Sequence, residues 1–447
     1  MQDVVLAQHW VLPMRNGALP SKPPLFHWLA AGTAHLFGLS DATVRAPSAC
    51  AAAAVLLVTF ALGAAAGGRV TGWLAAGALL GMHGFWESAG EARVDMVFTA
   101  CVTVALGAFL RWYRDRAAIA RAACYLGAGL AVLAKGPAGA LLPALVILVF
   151  LARERRLGLV AELWSWRLVG LVALLDLGWY ALAFRAGGRE FLAVQLLHEN
   201  VDRFVGRGVF GLHGGRSRLS LIVDLATDLL PWNLVLPWAA VCWVRGERED
   251  AAGRFFHTWW LVVVTFFSVA FGKRSVYLLP LYPALAVLAG RALARALART
   301  PDDARVLGML SVPARLKRAF PGRAALALVA ILIALFDLGL AVAGQAVREH
   351  RARKASLVEL TRAAAAIVPA TACLRAAPDL QESDLLVVAY RMRRDIAREV
   401  ALPGAGCGTP SYYLVPAETV ARLEALGYRS VLTSARRKAN LALVQGP

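Results

Sequence analysis

Charge is scarce in this chain. Only 17% of its 447 residues are Asp, Glu, Lys or Arg, against 59% that are hydrophobic, a balance that argues against a water-soluble domain. Acids are the scarcer sign, 29 Asp and Glu against 48 Lys and Arg. The basic surplus lies in short loops between apolar runs, as cytoplasmic flanks of a membrane protein do, and forms no nucleic-acid-binding face. Cysteine is sparse as well. The six cysteines include no CxxC and no His/Cys cluster, so no structural zinc is read from them. Cys50, Cys101, Cys124 and Cys242 lie inside apolar segments as small packing residues, which leaves Cys373 and Cys407 as the two placed to form a bridge. Residues 1–42 show no basic start followed by an apolar core, the pattern of a signal peptide. No internal repeat is found.

Long apolar runs are abundant. With about 20 apolar residues per span as the ruler, ten spanning helices are expected near 43–65, 70–88, 96–112, 120–134, 138–152, 168–184, 222–243, 257–272, 276–296 and 324–344. A shorter stretch at 24–39, PLFHWLAAGTAHLFGL, carries His27 and His35 and reads as interfacial. With the N-terminus outside, the inward loops collect Arg69, Arg111, Arg114, Arg116, Arg121, Arg153, Arg155, Arg156, Arg167, Arg245, Arg248 and Arg254, then the dense set from Arg291 to Arg323. This is the positive-inside pattern, and it places the C-terminus outside. The same scheme requires residues 1–42 to cross the membrane with nothing to drive them, so an upstream spanning helix is expected ahead of residue 1. After residue 345 the composition turns mixed. Runs such as DLLVVAY (384–390) and SYYLVP (411–416) read as strands and AETVARLEAL (417–426) as helix, together a small α/β domain.

On the outer side, acids and bases recur where orientation does not call for them. The loop GEARVD holds Glu91, Arg93 and Asp95; Lys22 and the AKGP lysine, Lys135, lie outside as well; HENVDR supplies His198 and Arg203; FGKRS supplies Lys273 and Arg274. A charge at a helix end is ordinarily an anchor or a snorkelling flank. Outward cations such as Lys135, Lys273 and Arg274 breach the positive-inside bias and suggest an anionic ligand, at a membrane surface a lipid phosphate. The long stretch 185–221, read as a loop, adds His213 and a run of glycines from Gly206 to Gly215; a loop of that length tends to be functional or disordered.

In order along the chain stand HWVLP (9–13), SKPPLFHWL (21–29), ARVDMVFT (92–99), LAKGPAGALLP (133–143), HENVDRF (198–204), LLPWNLVLPW (229–238) and GKRSVYLLPLYPAL (272–285). This ordered set resembles the GT-C membrane glycosyltransferases that use polyprenyl-phosphate sugars, in the branch of the lipid A aminoarabinose transferases and the protein O-mannosyltransferases. The resemblance covers about residues 5–300 and implies an all-α polytopic fold. Its implied donor is a polyprenyl-phosphate-linked sugar and its acceptor a lipid, glycan or protein, at the outer face of a bacterial-type inner membrane. It also implies roles residue by residue. Lys22, Arg203, Lys273 and Arg274 would hold the donor phosphate, Asp95 would be the catalytic acid–base group, and Arg93, Lys135, His198 and His213 are further site candidates. Two departures stand out. The family's acidic motif ahead of the tryptophan matched by Trp10 is missing, and Ser21 stands where the family has Glu or Asp before the lysine. Ser21 removes a metal ligand, so a divalent metal remains an open option with His198 its weak candidate ligand, and no other cofactor is read.

The competing reading is a transporter or lipid flippase, because Asp176, Asp224, Asp228 and Asp337 lie within or at the edges of apolar segments. A secondary transporter would show paired repeats and broken helices, and the sequence shows neither. The expected organisation is therefore a first outer loop with an interfacial helix (1–42), a transmembrane glycosyltransferase domain (43–345) and a soluble extracytoplasmic α/β domain (346–447).

Overall fold

The computed structural model describes residues 4, 9–14, 19–206, 220–229, 232, 250–271, 274–298, 357–369, 371–378, 380, 382–392, 396–398, 410–433 and 441–446. The chain divides into a larger unit, mainly residues 20–339, and a smaller one, mainly 340–447. The expected span at 324–344 and most of that at 222–243 lie outside the described residues.

The larger unit is helical. Helix α1, Leu25–Phe37, has 13 residues, or roughly 20 Å at the rise of an α-helix, which is shorter than a bilayer core. Helix α2, Asp41–Leu80, starts at a capping box in which the Ser40 side chain accepts from the Thr43 N–H and the Ser40 N–H donates to Thr43 Oγ1. It is a hairpin of two arms, because Gly67 and Gly68 leave helical geometry, Gly68 at φ +87°. The arms close tightly. A Cβ on Gly72 would stand 2.8 Å from the Phe60 carbonyl oxygen. The second arm stops at Leu80 and a short helix, α3 (His83–Ala89), follows a break, so the stretch expected as one span from 70 to 88 is in two pieces.

Helices α4 (Val94–Asp115), α5 (Ala118–Lys135) and α6 (Ala138–Arg153) run up and down with two-residue turns between them. In lipid there is little hydrophobic force between helices, so small residues that permit close approach matter most. Gly127 fits this requirement, since a Cβ there would meet the Ala105 nitrogen at 2.9 Å. Helix α7, Trp166–Leu192, passes through a break at Gly188 (φ +62°) into a π-helical stretch, Ala193–Asp202. The stretch expected as a loop from 185 is therefore helical as far as Val205. Helices α8 (Ser220–Asp228), α9 (Ala251–Val269) and α10 (Tyr282–Ala298) complete the unit, with a 3-10 turn, Ser275–Leu281, leading into α10. Among the described residues, five helical segments are long and apolar enough to cross a membrane: Asp41–Leu80, Val94–Asp115, Ala118–Lys135, Trp166–Asp202 and Ser275–Arg295. The chain is a multi-pass membrane protein.

The turns sort the helix ends into two sets. One end of the bundle carries the starts of α4 and α6 and the end of α5, while the opposite end carries the end of α4, the start of α5 and the end of α6. Ser48 near the start of α2 donates to the Arg93 carbonyl at 3.3 Å and so belongs to the first end.

The smaller unit holds a five-stranded sheet of order β2-β1-β3-β5-β4, from β1 (Cys373–Ala376), β2 (Ala397–Arg398), β3 (Ser411–Pro416), β4 (Arg429–Thr433) and β5 (Leu441–Gln445). β1 is parallel to β2 and β3, and β5 is antiparallel to β3 and β4. Cys373 is disulfide-bonded; Cys407 lies outside the described residues. One sequence expectation fails here. DLLVVAY is helix, within Glu382–Met392, because Leu385, Val388 and Ala389 are the buried positions and that spacing is helical.

Candidate active site

The first end of the bundle gathers the acids and bases. Asp95 lies in the first turn of α4 and Lys135 is the last residue of α5, each at the helix end whose dipole favours its charge. Because the two helices are antiparallel neighbours, these ends meet. Lys135 Nζ donates to Asp95 Oδ1 at 2.6 Å, with side chains only 9% and 12% exposed. The ammonium also stands over the rings of Tyr277 (4.4 Å) and Phe98 (4.9 Å), a cation–π arrangement strengthened by exclusion of water. The charge partner of Asp95 is thus Lys135. Arg93, its neighbour in sequence, pairs instead with Glu91 at 2.9 Å on a more open surface.

Lys22 makes the second, part-buried contact, 2.9 Å from Glu199 in the π-helical stretch. The segment leading to Lys22 is tied to α7 and its extension. Trp179 Nε1 donates to the Val11 carbonyl at 2.9 Å and Gln195 Nε2 to that of Pro20 at 3.2 Å. Next to Glu199, Asn200 donates to the Gln195 carbonyl at 2.5 Å and faces the AKGP turn. A Cβ on Gly136 would lie 3.5 Å from Asn200 Oδ1 and 3.7 Å from the Tyr180 hydroxyl. The Lys22–Glu199 and Lys135–Asp95 pairs are therefore joined through Asn200 and Gly136. Glu199, Asn200 and Tyr277 went unselected in the sequence reading, although HENVDR contains the first two. Signals existed only as their place beside charged motif residues.

His198 Nδ1 lies 2.6 Å from Asp202 Oδ2, one helical turn on, and is 60% exposed. Among the described residues no group of three or more His, Cys, Asp or Glu could hold a metal ion. His198 and Asp202 alone, with Ser21 in place of an acid, do not make up a metal's donor set. Arg274 is exposed and precedes the 3-10 turn that carries Tyr277, which brings it into the neighbourhood of Lys135. The backbone of Arg203 is helical, and its turn is held to the same region by the Phe271 N–H donating to the Phe204 carbonyl at 2.9 Å. The side chain of Arg203, and the residues Lys273 and His213, lie outside the described residues.

The arrangement can do two things chemically. Cations on separate segments can neutralise a phosphate, and a buried aspartate whose charge is balanced by a fixed lysine can orient or accept a proton.

Comparison with known proteins adds kinship. The family described as dolichyl-phosphate-mannose-protein mannosyltransferase matches residues 21–179. The undecaprenyl phosphate-alpha-4-amino-4-deoxy-L-arabinose arabinosyl transferase of Pseudomonas paraeruginosa is 31% identical over 322 residues, covering 69% of this chain and 56% of that protein. Its counterpart in Shewanella sediminis is 26% identical over 292 residues, covering 64% and 52%. The chain thus spans about half the length of the curated relatives it matches. Among solved structures, ArnT from Cupriavidus metallidurans bound to undecaprenyl phosphate superposes with a TM-score of 0.78 at 19% identity, covering 99% of this chain and 91% of that one. The archaeal oligosaccharyltransferase AglB from Archaeoglobus fulgidus gives 0.57 at 14%, covering 94% and 64%. The chain is thus similar in sequence to the arabinosyl transferases and shares the fold of ArnT and AglB, the fold of the GT-C membrane glycosyltransferases.

Proposed function

We propose that the protein transfers a sugar from a polyprenyl-phosphate donor to a lipid, glycan or protein acceptor. By the names of its relatives, the donor is undecaprenyl phosphate bearing 4-amino-4-deoxy-arabinose. The observation that carries this reading is the convergence of Lys135–Asp95 and Lys22–Glu199, from four distant segments, about the Gly136–Asn200 contact.

The chemistry sets two demands. As the bond from the sugar's anomeric carbon to the phosphate oxygen breaks, negative charge grows on the phosphate and preorganised cations must meet it. Lys22 fits this role, with Arg274 and, by the resemblance of their motifs, Arg203 and Lys273 as its companions. Glu199 holds the Lys22 ammonium in place before a donor arrives. As the acceptor's hydroxyl oxygen bonds to the anomeric carbon, its proton must leave. Asp95 takes that proton, and Lys135, donating to its Oδ1 at 2.6 Å, holds the carboxylate in place until then. The phosphate departs with the bonding electron pair.

In this reading the site faces outward from a bacterial-type inner membrane, with about ten spans in total and the sheet-bearing unit outside. The supporting observation is the asymmetry of arginine: Arg111, Arg114, Arg121 and Arg153 all lie at the bundle end opposite Asp95, as the positive-inside rule requires of a cytoplasmic end.

The test is transfer of radiolabelled sugar from undecaprenyl phosphate by the purified chain in nanodiscs, scored for wild type and Asp95→Asn. The isosteric change should lower the rate by about 100-fold or more while polyprenyl phosphate binding persists. Full activity in Asp95→Asn would remove its catalytic role.

A further inference from the structure

One buried acid plays no part in the scheme above. Asp176 lies midway along α7, is 8% exposed, and its Oδ1 has no hydrogen-bond partner among the described residues. One turn further towards the site end, the Tyr180 hydroxyl is likewise buried and without a partner there. A carboxylate removed from water without a compensating charge or donor is expensive. Most of α7 is exposed, yet Asp176, Trp179, Ala183 and Phe191 are its buried positions, so Asp176 is on the packed face of the helix and not on its lipid face.

The surroundings lead from Asp176 to the site. α7 packs along α5, with Gly129 against Val172 and Gly136 beside Tyr180. Gly136, at φ +88°, has no side chain, and the space next to it is bounded by the Tyr180 hydroxyl and the Asn200 amide. Lys135, the residue before Gly136, is committed to Asp95, and the Lys22 ammonium to Glu199. From the phosphate-facing cations inward, the polar groups thus run Asn200, Tyr180, Asp176. The first two offer hydrogen bonds to a neutral polar ring, and the last offers a carboxyl whose Oδ1 no donor among the described residues meets.

We propose that Tyr180 and Asp176 form the subsite for the sugar of the donor, with the Asp176 carboxylate opposite the amino group of an amino sugar. This rests on the donor reading given above. A protonated amine supplies both the donor and the positive charge that Oδ1 lacks, whereas a hydroxyl supplies only the donor. Asp176 and Tyr180 are then specificity-determining residues. They act on which sugar is held, while Lys22 and its companions act on the phosphate common to every donor.

Binding separates the two claims. The full chain in nanodiscs is titrated with three ligands: undecaprenyl phosphate, undecaprenyl phosphate carrying 4-amino-4-deoxy-arabinose, and the analogue carrying arabinose with a 4-hydroxyl. Wild type should prefer the amino sugar to the hydroxyl analogue by about tenfold or more. Asp176→Asn should abolish that preference and leave the bare carrier within about twofold of wild type, and Tyr180→Phe should weaken both sugar donors and spare the bare carrier. A wild-type protein without the preference overturns the proposal, as does an Asp176→Asn protein that loses the three ligands equally or keeps the wild-type preference. Failure of wild type to bind any of the three would instead overturn the donor reading, and the subsite with it. Folding of each variant is read separately from its thermal unfolding in detergent, and only variants that unfold as wild type does are scored.

Discussion

The two ends of the helix bundle handle charge differently. At the site end, Asp95 and Lys135 are withdrawn from water, meet at 2.6 Å and lie beneath aromatic rings. At the opposite end, Arg254 grips Glu154 with two hydrogen bonds of 2.5 and 2.8 Å, Arg291 reaches Asp250 at 2.7 Å, and Arg116 lies 3.3 Å from Glu162. Each of these opposite-end pairs keeps at least one partner more than a third exposed. Pairs of that kind hold helices in register and contribute little each. A doubly buried pair is different, because burial costs both ions their hydration and hydrophobic substitutes often serve stability as well or better. The contrast suggests that Asp95–Lys135 is retained for chemistry and the opposite-end pairs for assembly.

The sharpest way to break that contrast is to remove one member of the buried pair. Lys135→Met leaves the buried Asp95 carboxyl without its partner, and should destabilise the protein by about 3–5 kcal/mol and abolish transfer. Thermal unfolding in detergent and the transfer assay would measure both. The double variant Lys135→Met with Asp95→Leu should regain most of the stability and none of the activity. Recovery of activity with stability would make the pair merely structural.

Lys22 should behave otherwise, being 20% exposed and paired with a residue it can release. Lys22→Ala should raise the Kd for undecaprenyl phosphate by about tenfold or more, since a charge-assisted contact is lost, with a stability change below about 1 kcal/mol. Glu199→Gln should cost less in binding, because the lysine remains. A larger effect from Glu199→Gln than from Lys22→Ala would assign the phosphate contact elsewhere.

These pairings were not legible in the sequence, although the membrane character and the motifs were. Counting charges by side of the membrane locates Lys135 as an outward cation but cannot see that Asp95, 40 residues away, matches it. Lys22 and Glu199 are 177 residues apart, and only the path of α7 and its π-helical extension brings them together. Local pattern misled in two places for physical reasons. The valines of DLLVVAY favour a strand, yet burial follows the i, i+3, i+4 face of Leu385, Val388 and Ala389. The stretch 185–221 reads as one loop, but the chain turns once at Gly188 and resumes helical structure as far as Val205. What survived best was the short turn. AKGP marks the junction of α5 and α6 because Gly136 adopts φ +88° and Pro137 starts the next helix.

The opposite end offers the smallest and most telling effect. The Arg254 guanidinium, hydrogen-bonded to Glu154, holds that carboxyl below the usual glutamate range, and the nearby Arg153 and Arg156 add to the shift while burial opposes it. A carboxylate whose pKa is lower in the folded state stabilises the fold above its unfolded pKa. That contribution fades as pH falls through the folded value. Arg254 is 37% exposed, so screening by solvent limits the pair to about 1 kcal/mol or less. Glu154→Gln should therefore lower Tm slightly at neutral pH and converge with wild type as the solution is acidified below the folded pKa, with transfer activity unchanged throughout. If Glu154→Gln reduced transfer as much as Asp95→Asn, charge at the two ends would serve one purpose, and the division between chemistry and assembly would be lost.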